Sequence, residues 1–342
     1  MISLSKLLRR STLSGMTLAS GLLLLTMLLS ACGANNTSSG GSTPTATTNT
    51  ATACSVSTSD LGPGGSTKGT APNDNAKGTI TIDGSSALQP LIKQAATEYQ
   101  ATNSGANITV NAGGSSKGVA DVESGAVQIG DSDLFAQTVN ATKYADLVDH
   151  QVAVVIFAVV VNPDVAAKIT NLTTQQIQQI FSGQITNWST LGGPNETITT
   201  VERPAGSGTR GTFSKYVMQG VTSNPSQTLQ KDDSGALGQA VSTTPGAIGY
   251  IATSFIGNGG SLNGKITPVC IDGQKPSPSA VASNDYKFWN FEHMYTKGQP
   301  SGVAASFLNY VTSSAFQQSD LADLYFISAS TLSSSATASH QP

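Results

Sequence analysis

The run VAVVIFAVVV occupies residues 152–161, and all ten of its residues are apolar. A strand with one face in water alternates polar and apolar residues, whereas a strand covered on both faces reads as a continuous apolar run. Both faces of this segment are therefore expected to be covered by other parts of the protein. We predict a fully buried parallel strand in an α/β domain.

Outward from this strand, β-branched runs alternate with helix-like segments over about 250 residues. One helix start is clearly marked, because Thr173 and Gln176 form a Thr-x-x-Gln capping box and Leu172 with Ile177 forms a hydrophobic staple. The other strand-like runs are 79–82, 107–110, 127–129 and 197–201. This alternation predicts an α/β fold with parallel sheets, and its length is sufficient for two lobes.

Three turns rich in glycine and serine each follow a predicted strand and precede a predicted helix. They are DGSSALQP at 83–90, GGSSKG at 113–118 and GSGT at 206–209. The first N–H groups of a helix lack intrahelical partners, and the helix dipole favours negative charge there. Any one of these turns could be an ordinary helix cap. Three of them at one sheet edge would form a cage for an anion.

The chain has only two arginines after residue 10, and both flank the third turn. Arg203 follows the strand at 197–201 and can present a planar fork of donors to an oxyanion. An ion pair with Glu202 or with another acidic residue is the structural alternative. Arg210 falls in the first turn of the next helix, where a cation opposes the dipole. It could contact the ligand, contact a carboxylate of the site, or extend into solvent.

A carboxylate is expected at the same sheet edge, because Asp131 and Asp133 follow the strand at 127–129. A carboxylate would repel a fully deprotonated anion, but it would accept the proton of HPO4²⁻. Sulfate has no such proton, and a site that hydrogen-bonds one group rejects an analogue without it by about 10⁴. The residues alone do not choose between Asp131 and Asp133, and either could be a turn residue.

The first 32 residues read as an export signal. Positive residues precede an apolar stretch at 17–29, and Leu-Ser-Ala-Cys at 29–32 resembles a bacterial lipobox with Cys32 as the lipidated residue. A simple N-terminal membrane anchor is the alternative. Residues 33–77 are almost entirely small and polar, which predicts a flexible tether. Residues 331–342 are predicted to form a flexible tail in which His340 has no function.

Charge and cysteine content restrict the function further. Removal of residues 1–31 takes away three basic residues and no acidic ones, which leaves 14 basic against 20 acidic residues and a net charge of −6. Binding of nucleic acid through a broad basic surface is therefore not expected. Cys54 and Cys270 could form a disulfide in an oxidising compartment or remain two separate thiols. The chain has three histidines and no Cys-x-x-Cys, so no zinc, other metal or cofactor is expected.

From about Thr79 to Phe326 the chain resembles the phosphate-binding lipoproteins of the phosphate-specific ABC importer. The resemblance depends on GSSALQPL, AGGSSKGV, IGDSD, NLTTQQIQQIFSGQITNWSTLGG, RPAGSGTRGTF and GAIGYI, in that order. It implies the two-lobed periplasmic-binding-protein fold, type II-like, in which each lobe is a sheet flanked by helices and a hinge joins the lobes. Chain crossings are expected near 156–160 and 250–256. Lobe I would comprise 78–157 and 255–330, and lobe II would comprise 158–254.

The resemblance also implies roles for individual residues. Asp133 would accept the ligand proton, and Arg203 would pair with the ligand. Hydrogen-bond donors to phosphate would be Ser86, the backbone of Ala87, Ser115, Ser207, Gly208 and Thr209. Some members of the family carry a bulky residue where this chain has Ala87, and only some have an arginine at the position of Arg210.

Inorganic phosphate and the permease subunits of an ABC transporter are thus the implied partners, with the protein a monomer held to the outer face of the cytoplasmic membrane. A binding protein for sulfate or molybdate and a surface lipoprotein that senses phosphate are the alternatives. A serine hydrolase is a remote one, because residues 114–118 fit Gly-x-Ser-x-Gly around Ser116 and His293 could act as its base. We do not expect an enzyme.

Overall fold

A computed structural model of the chain describes residues 54–64, 69–224 and 228–342. The predicted signal, Cys32 and residues 33–53 of the predicted tether lie outside these ranges. None of the helices in the described residues is long and apolar enough to cross a membrane.

Eleven strands and eleven α-helices alternate along the described residues. The strands are β1 (Gly78–Gly84), β2 (Ala106–Val110), β3 (Ile129–Ser132), β4 (Leu147–Val161), β5 (Asn171–Leu172), β6 (Thr199–Glu202), β7 (Thr228–Gln230), β8 (Ala247–Ala252), β9 (Thr267–Ile271), β10 (Trp289–Lys297) and β11 (Phe326–Ile327). The helices are α1 (Gln89–Thr102), α2 (Ser115–Ser124), α3 (Ala136–Asn140), α4 (Pro163–Ala166), α5 (Thr174–Phe181), α6 (Gly208–Phe213), α7 (Ser234–Thr243), α8 (Pro278–Ala282), α9 (Gly302–Val311), α10 (Ser314–Asp323) and α11 (Ser334–His340). The α/β class is confirmed.

The strands form one sheet in the order β2-β1-β3-β10-β4-β8-β6-β7, to which β11, β9 and β5 are added. Residues 152–161 of β4 are buried, as predicted. The predicted parallel pairing is wrong, because β4 runs antiparallel to β10, β11, β8 and β9. Burial on both faces produces the same apolar pattern whichever way the neighbouring strands run, so the pattern carries no information about direction.

Strand β4 joins two groups of strands. Its residues up to Ile156 pair with β10 and β11, and its residues from Phe157 onward pair with β8 and β9. The second crossing was expected near 250–256, but β9 still pairs with the second part of β4 and with β5. The second group of strands therefore extends to Ile271. The composition of 267–271 is that of an ordinary strand and does not show which group it joins.

The capping box at the start of α5 is confirmed. The Thr173 hydroxyl accepts a hydrogen bond from the Gln176 N–H at 3.1 Å, and the Gln176 side chain accepts one from the Thr173 N–H at 2.8 Å. Gly183, just beyond the helix, has a φ of +77°.

The prediction of a flexible tether to residue 77 is wrong for the described residues from 54 onward. Cys54 forms a disulfide with Cys270 of β9, and Leu61 is buried in the core. Asp60 forms an ion pair with Lys275 at 2.9 Å. Small polar residues provide little burial of their own, but the disulfide, the ion pair and the buried side chains of Leu61 and Ala71 hold this segment against the domain.

Reduction of the Cys54–Cys270 disulfide is expected to lower the free energy of unfolding by about 3 to 5 kcal/mol. The bond links residues 216 positions apart, so it removes much of the conformational freedom of the unfolded chain. Urea unfolding with and without a thiol reductant measures this difference. The double variant Cys54→Ser, Cys270→Ser is the control and should be insensitive to the reductant. Equal midpoints for the oxidised and reduced protein would contradict the expectation.

The prediction of a flexible tail with an inert His340 is also wrong. Residues 334–340 form α11, and the His340 ring is buried between Tyr216 and Trp289, with ring centroids 3.9 and 3.6 Å away. The His340 Nε2 bonds to the Lys287 carbonyl at 3.1 Å. Two stacking contacts from distant parts of the chain order this segment, and its composition does not indicate them.

His340→Ala is expected to lower the free energy of unfolding by about 2 kcal/mol or more, because it leaves a gap between two stacked rings. Gln341→Ala, one residue further along and exposed, is the matched control. Chemical denaturation of both variants measures the difference. Equal free energies of unfolding for His340→Ala and Gln341→Ala would show that the stacked ring of His340 contributes nothing to stability.

The same residue predicts a dependence of stability on pH. Burial, and after it the charges of Lys215 and Lys287, lower the pKa of His340 to about 4 from an ordinary value of 6.5. The unfolded chain thus binds a proton that the folded chain does not bind between these two values. The contribution of His340 to stability should be complete above pH 6.5 and be lost as the pH falls toward 4. His340→Phe should lack this component.

Candidate anion-binding site

Four strand-to-helix turns contact one another between the two groups of strands that β4 joins. The three predicted turns connect β1 to α1, β2 to α2 and β6 to α6, and a fourth connects β7 to α7. The Ser116 N–H of the second turn donates to the Gly206 carbonyl of the third at 3.1 Å. The Ser86 hydroxyl of the first turn lies 2.9 Å from the Ser234 hydroxyl of the fourth. Each group of strands therefore supplies two of the turns.

Arg203 lies at the end of β6 and is 1% exposed. Its Nη1 donates to the Ser234 hydroxyl at 3.1 Å and its Nη2 to the Asp232 carbonyl at 2.8 Å. The Nε atom is buried without a hydrogen-bond partner in the described residues. Glu202 accepts instead from the Thr228 hydroxyl, and no ion pair between Glu202 and Arg203 occurs in the described part of the chain. The guanidinium is thus fixed in place through both terminal nitrogens, and its Nε–H remains without an acceptor in the described residues.

The electrostatics around Arg203 favour an anion nearby. Burial lowers the pKa of Arg203, and the negative charge of Asp133 acts in the opposite direction. Because an arginine keeps its proton even when it is buried, the site retains a full positive charge. The carboxylate of Asp133 is close enough to influence that charge, so the site combines a cation with an anion.

Asp133 follows β3 and is 1% exposed. Its carboxylate accepts hydrogen bonds from the Thr209 hydroxyl at 2.9 Å and from the Ser115 hydroxyl at 3.3 Å. Its own N–H donates to the Ser115 hydroxyl at 3.0 Å. Asp131 lies within β3, and its carboxyl oxygens accept no hydrogen bond from these hydroxyls. Of the two aspartates, Asp133 is the one among the turn residues.

The third turn begins α6. The Ser207 hydroxyl caps this helix and accepts from the Arg210 N–H at 3.2 Å. A β-carbon at Gly208 would collide with the Ser115 hydroxyl and with Asp133, so only glycine permits this approach of α6 to the second turn. The second and third turns are therefore in direct contact around Asp133.

The first turn contributes Ser86 and Ala87, which are both buried. The Ala87 N–H bonds to the Ser85 hydroxyl at 3.1 Å, and the Ser86 hydroxyl accepts from the Ser234 N–H at 3.2 Å. All eight predicted site residues are buried. Asp133 follows β3 and contacts two of the converging turns, and the other seven lie on those turns, namely Ser86, Ala87, Ser115, Arg203, Ser207, Gly208 and Thr209.

The partner of Arg210 differs from the ligand, the site carboxylate and the solvent that the sequence left open. Its Nη1 donates to the carbonyl oxygen of Arg203 at 2.8 Å. It therefore braces the backbone that carries Arg203, and this contact explains why a cation is tolerated in the first turn of α6.

Ser234 and Asn290 were not predicted from the sequence. The Ser234 hydroxyl hydrogen-bonds both Arg203 and Ser86. The sequence marks this residue by the Asp-Ser-Gly stretch at 233–235, which is a fourth turn of the same kind. Strand β7, which precedes this turn, has only three residues, so the sequence shows no clear strand-to-helix pattern there. Asn290 of β10 donates to the Asp133 carbonyl at 2.7 Å and has no comparable signal in the sequence.

The elements of a serine hydrolase are not assembled. His293 is fully buried, with its Nδ1 2.8 Å from an Asp149 carboxylate oxygen and its ring beside Phe135 and Tyr295. No hydrogen bond joins His293 to Ser116 in the described ranges, and Ser116 lies in the first turn of α2 next to Gly206. The two residues therefore do not form a nucleophile and base pair in this arrangement.

Comparison with known proteins places this chain in a family. Residues 69–315 match the PBP superfamily domain. The chain is 43% identical over 254 residues to the phosphate-binding protein PstS of Bacillus subtilis strain 168, an alignment that covers 74% of this chain and 82% of the relative. It is 23% identical over 253 residues to the phosphate-binding protein PstS of Borreliella burgdorferi, covering 71% and 88%. The protein belongs to the PstS family of phosphate-binding proteins within the PBP superfamily.

Solved structures agree with this assignment. A substrate-binding protein assigned to phosphate ABC transport in Clostridium perfringens, solved with bound phosphate, has a TM-score of 0.65 and 26% identity over 73% of this chain and 99% of its own. An ABC-type phosphate transport receptor of Vibrio cholerae has the same fold, with a TM-score of 0.57 and 22% identity over 72% and 99%. The predicted periplasmic-binding-protein fold is confirmed.

Proposed function

We propose that this protein binds inorganic phosphate outside the cytoplasmic membrane and delivers it to the permease subunits of an ABC importer. The observation that carries the proposal is the presence of both a buried arginine, Arg203, and a buried carboxylate, Asp133, among the N–H groups and hydroxyls of four helix starts. Membership of the PstS family supports it.

The mechanism follows from the charges and donors of the site. HPO4²⁻ meets the helix-start donors of the first and second turns, and its remaining oxygens receive hydrogen bonds from Ser207, Gly208 and Thr209. Arg203 supplies a planar fork for two of the ligand oxygens. Asp133 accepts the proton of the ligand, which is the one hydrogen bond that sulfate cannot make. Movement of one lobe toward the other about a hinge completes this cage, and the permease recognises the closed form.

Equilibrium dialysis against radiolabelled phosphate tests the proposal. One phosphate retained per chain, displaced by unlabelled phosphate and not by sulfate or molybdate, is the expected result. Displacement by sulfate would favour a binding protein for another oxyanion. Transport is separated from sensing by measuring phosphate uptake in cells that lack this protein, because a sensor would leave uptake by the permease unchanged.

We further propose that the mature protein is anchored to the outer face of the membrane by a lipid on Cys32. The Leu-Ser-Ala-Cys stretch and the Cys54–Cys270 disulfide, a bond typical of oxidising compartments, support this location. Cys32→Ser should abolish incorporation of a labelled fatty acid. Equal labelling of the variant and the unmodified protein would contradict the anchor.

We also propose that the protein carries out no covalent chemistry. Ser116→Ala is expected to leave phosphate affinity within about threefold of the unmodified protein, because truncating one hydroxyl outside the cage removes at most a single hydrogen bond. The same preparations are assayed against a panel of ester substrates. A hydrolytic activity present in the unmodified protein and absent from the variant would overturn this part of the proposal.

A further inference from the structure

Two buried carboxyl groups lie beside the anion site without taking part in it. Asp131 on β3 is 1% exposed and Glu292 on β10 is fully buried. In the described part of the chain, none of their four carboxyl oxygens has a hydrogen-bond partner. An ionised carboxylate in such a position is strongly unfavourable, so a group of this kind keeps its proton instead.

The strand register places both groups next to Asp133. Strands β3 and β10 are antiparallel, with Asp131 opposite Met294 and Ser132 opposite His293. Residues two apart on a strand share a face, so Glu292 lies on the face that Asp131 occupies. The same register continued by one pair sets Glu292 across from Asp133, and the bond from Asn290 to the Asp133 carbonyl shows that the two chains remain adjacent there.

The charges around this pair are negative. Burial raises the pKa of Asp131 well above its ordinary value, and the charges of Asp133 and of Asp83 on β1 act in the same direction. Burial likewise raises the pKa of Glu292 well above its ordinary value, and the negative charges of Asp133 and Asp131 raise it further.

Among the residues that the structure describes, the neighbouring elements supply no compensating cation to this face. From α2, Lys117 forms an ion pair with Asp83. Helix α1 buries apolar residues and Tyr99, whose hydroxyl bonds to Asp74. His293, the next residue along β10, bonds to Asp149 on the opposite face of the sheet. Asp131 and Glu292 must therefore either keep their protons or, when ionised, repel the carboxylate of Asp133.

We infer that Asp131 and Glu292 are proton-holding residues whose neutral forms are required for phosphate binding, so that loss of a proton from either one weakens the binding of phosphate. The inference rests on the proposed function, because it concerns the same site. With both groups neutral, Asp133 would be the only negative charge next to the ligand on this face within the described ranges. Ionisation of Asp131 or Glu292 would place a second negative charge beside HPO4²⁻.

The direction of the pH effect follows by linkage. A bound dianion favours the protonated carboxyls still further, so at alkaline pH the free protein must take up a proton when phosphate binds. Affinity should then fall by up to about tenfold per pH unit for each linked proton. This loss is expected on the alkaline side, where the carboxyls ionise, and is additional to any effect of the ionisation of phosphate itself.

Titration calorimetry with phosphate from about pH 6.5 to 9.5 tests the inference, with each pH measured in two buffers of different ionisation enthalpy so that the protons taken up are counted. The proteins are the unmodified chain, Glu292→Gln, Asp131→Asn and the control Asp164→Asn, which makes the same chemical change at an exposed position. The unmodified protein and the control should take up protons at alkaline pH and lose affinity there. Glu292→Gln or Asp131→Asn should take up fewer protons and lose less affinity.

A variant with the proton count and pH profile of the unmodified protein would overturn the role of the residue replaced. An unmodified protein that takes up no proton at alkaline pH would overturn the inference while leaving phosphate binding intact. Absence of phosphate binding at every pH would overturn the proposed function and this inference with it. If a variant does not fold, infrared spectroscopy of the unmodified protein decides, since the inference requires a protonated carboxyl band at neutral pH that disappears at alkaline pH as affinity falls.

Discussion

Arg203→Ala is expected to weaken phosphate binding by about a thousandfold. The variant loses the guanidinium that would pair with the bound phosphate, and truncating one partner of a buried, hydrogen-bonded charge pair costs about 2 to 5 kcal/mol or more. The guanidinium supplies the full positive charge of the site, and Ser234, Asp232 and Arg210 fix its position. Arg203→Lys keeps the charge but loses the planar fork, so its affinity for phosphate should lie between those of the unmodified protein and Arg203→Ala. Titration calorimetry at neutral pH measures all three affinities.

The control for this experiment is Lys168→Ala, which removes a positive charge from an exposed position. It separates the local effect of Arg203 from the effect of net charge. Thermal unfolding of each variant shows whether the fold is retained. A folded Arg203→Ala variant that binds phosphate within about threefold of the unmodified protein would mean that the cation of the cage lies elsewhere.

Asp133→Asn is expected to weaken phosphate binding by about a hundredfold and to permit binding of sulfate. The substitution replaces an acceptor-only carboxylate by an amide that also has donors, so the ligand proton loses its acceptor and the oxygens of sulfate gain a donor. Competition between phosphate and sulfate for the variant measures the change in preference. Asp164→Asn is again the matched control. An Asp133→Asn variant that still excludes sulfate would show that the carboxylate does not determine selectivity.

The convergence of the candidate site residues was predictable because each chemical requirement of an anion site leaves a local signature. A buried oxyanion requires a fixed cation, and Arg203 was recognisable as one of only two arginines after residue 10. Exposed helix N–H groups follow strand-to-helix turns, and glycine and serine mark such turns at 84–86, 113–116 and 206–208. Because Asp131 and Asp133 have the same local context, the choice between them depended on a family resemblance and on the contacts of Asp133 with Thr209 and Ser115.

The features that were missed depend on partners far away in the chain. The direction of β4 is set by strands that return from 247–252 and 289–297, and an apolar run looks the same beside parallel and antiparallel neighbours. Residues 54–61 are ordered by Cys270 and Lys275, and His340 is ordered by Tyr216 and Trp289. Local composition describes how a segment would behave alone, so it cannot include contacts of this kind.

Titration calorimetry of the purified protein at about pH 7.5, first with phosphate and then with sulfate, tests the central claim most directly. We expect saturable binding of one phosphate per chain and no heat of binding from sulfate, because Arg203 and the helix starts attract both anions while Asp133 accepts a proton from phosphate alone. Binding of sulfate with comparable affinity would contradict the role of the carboxylate. Absence of binding for both anions would contradict the phosphate site itself.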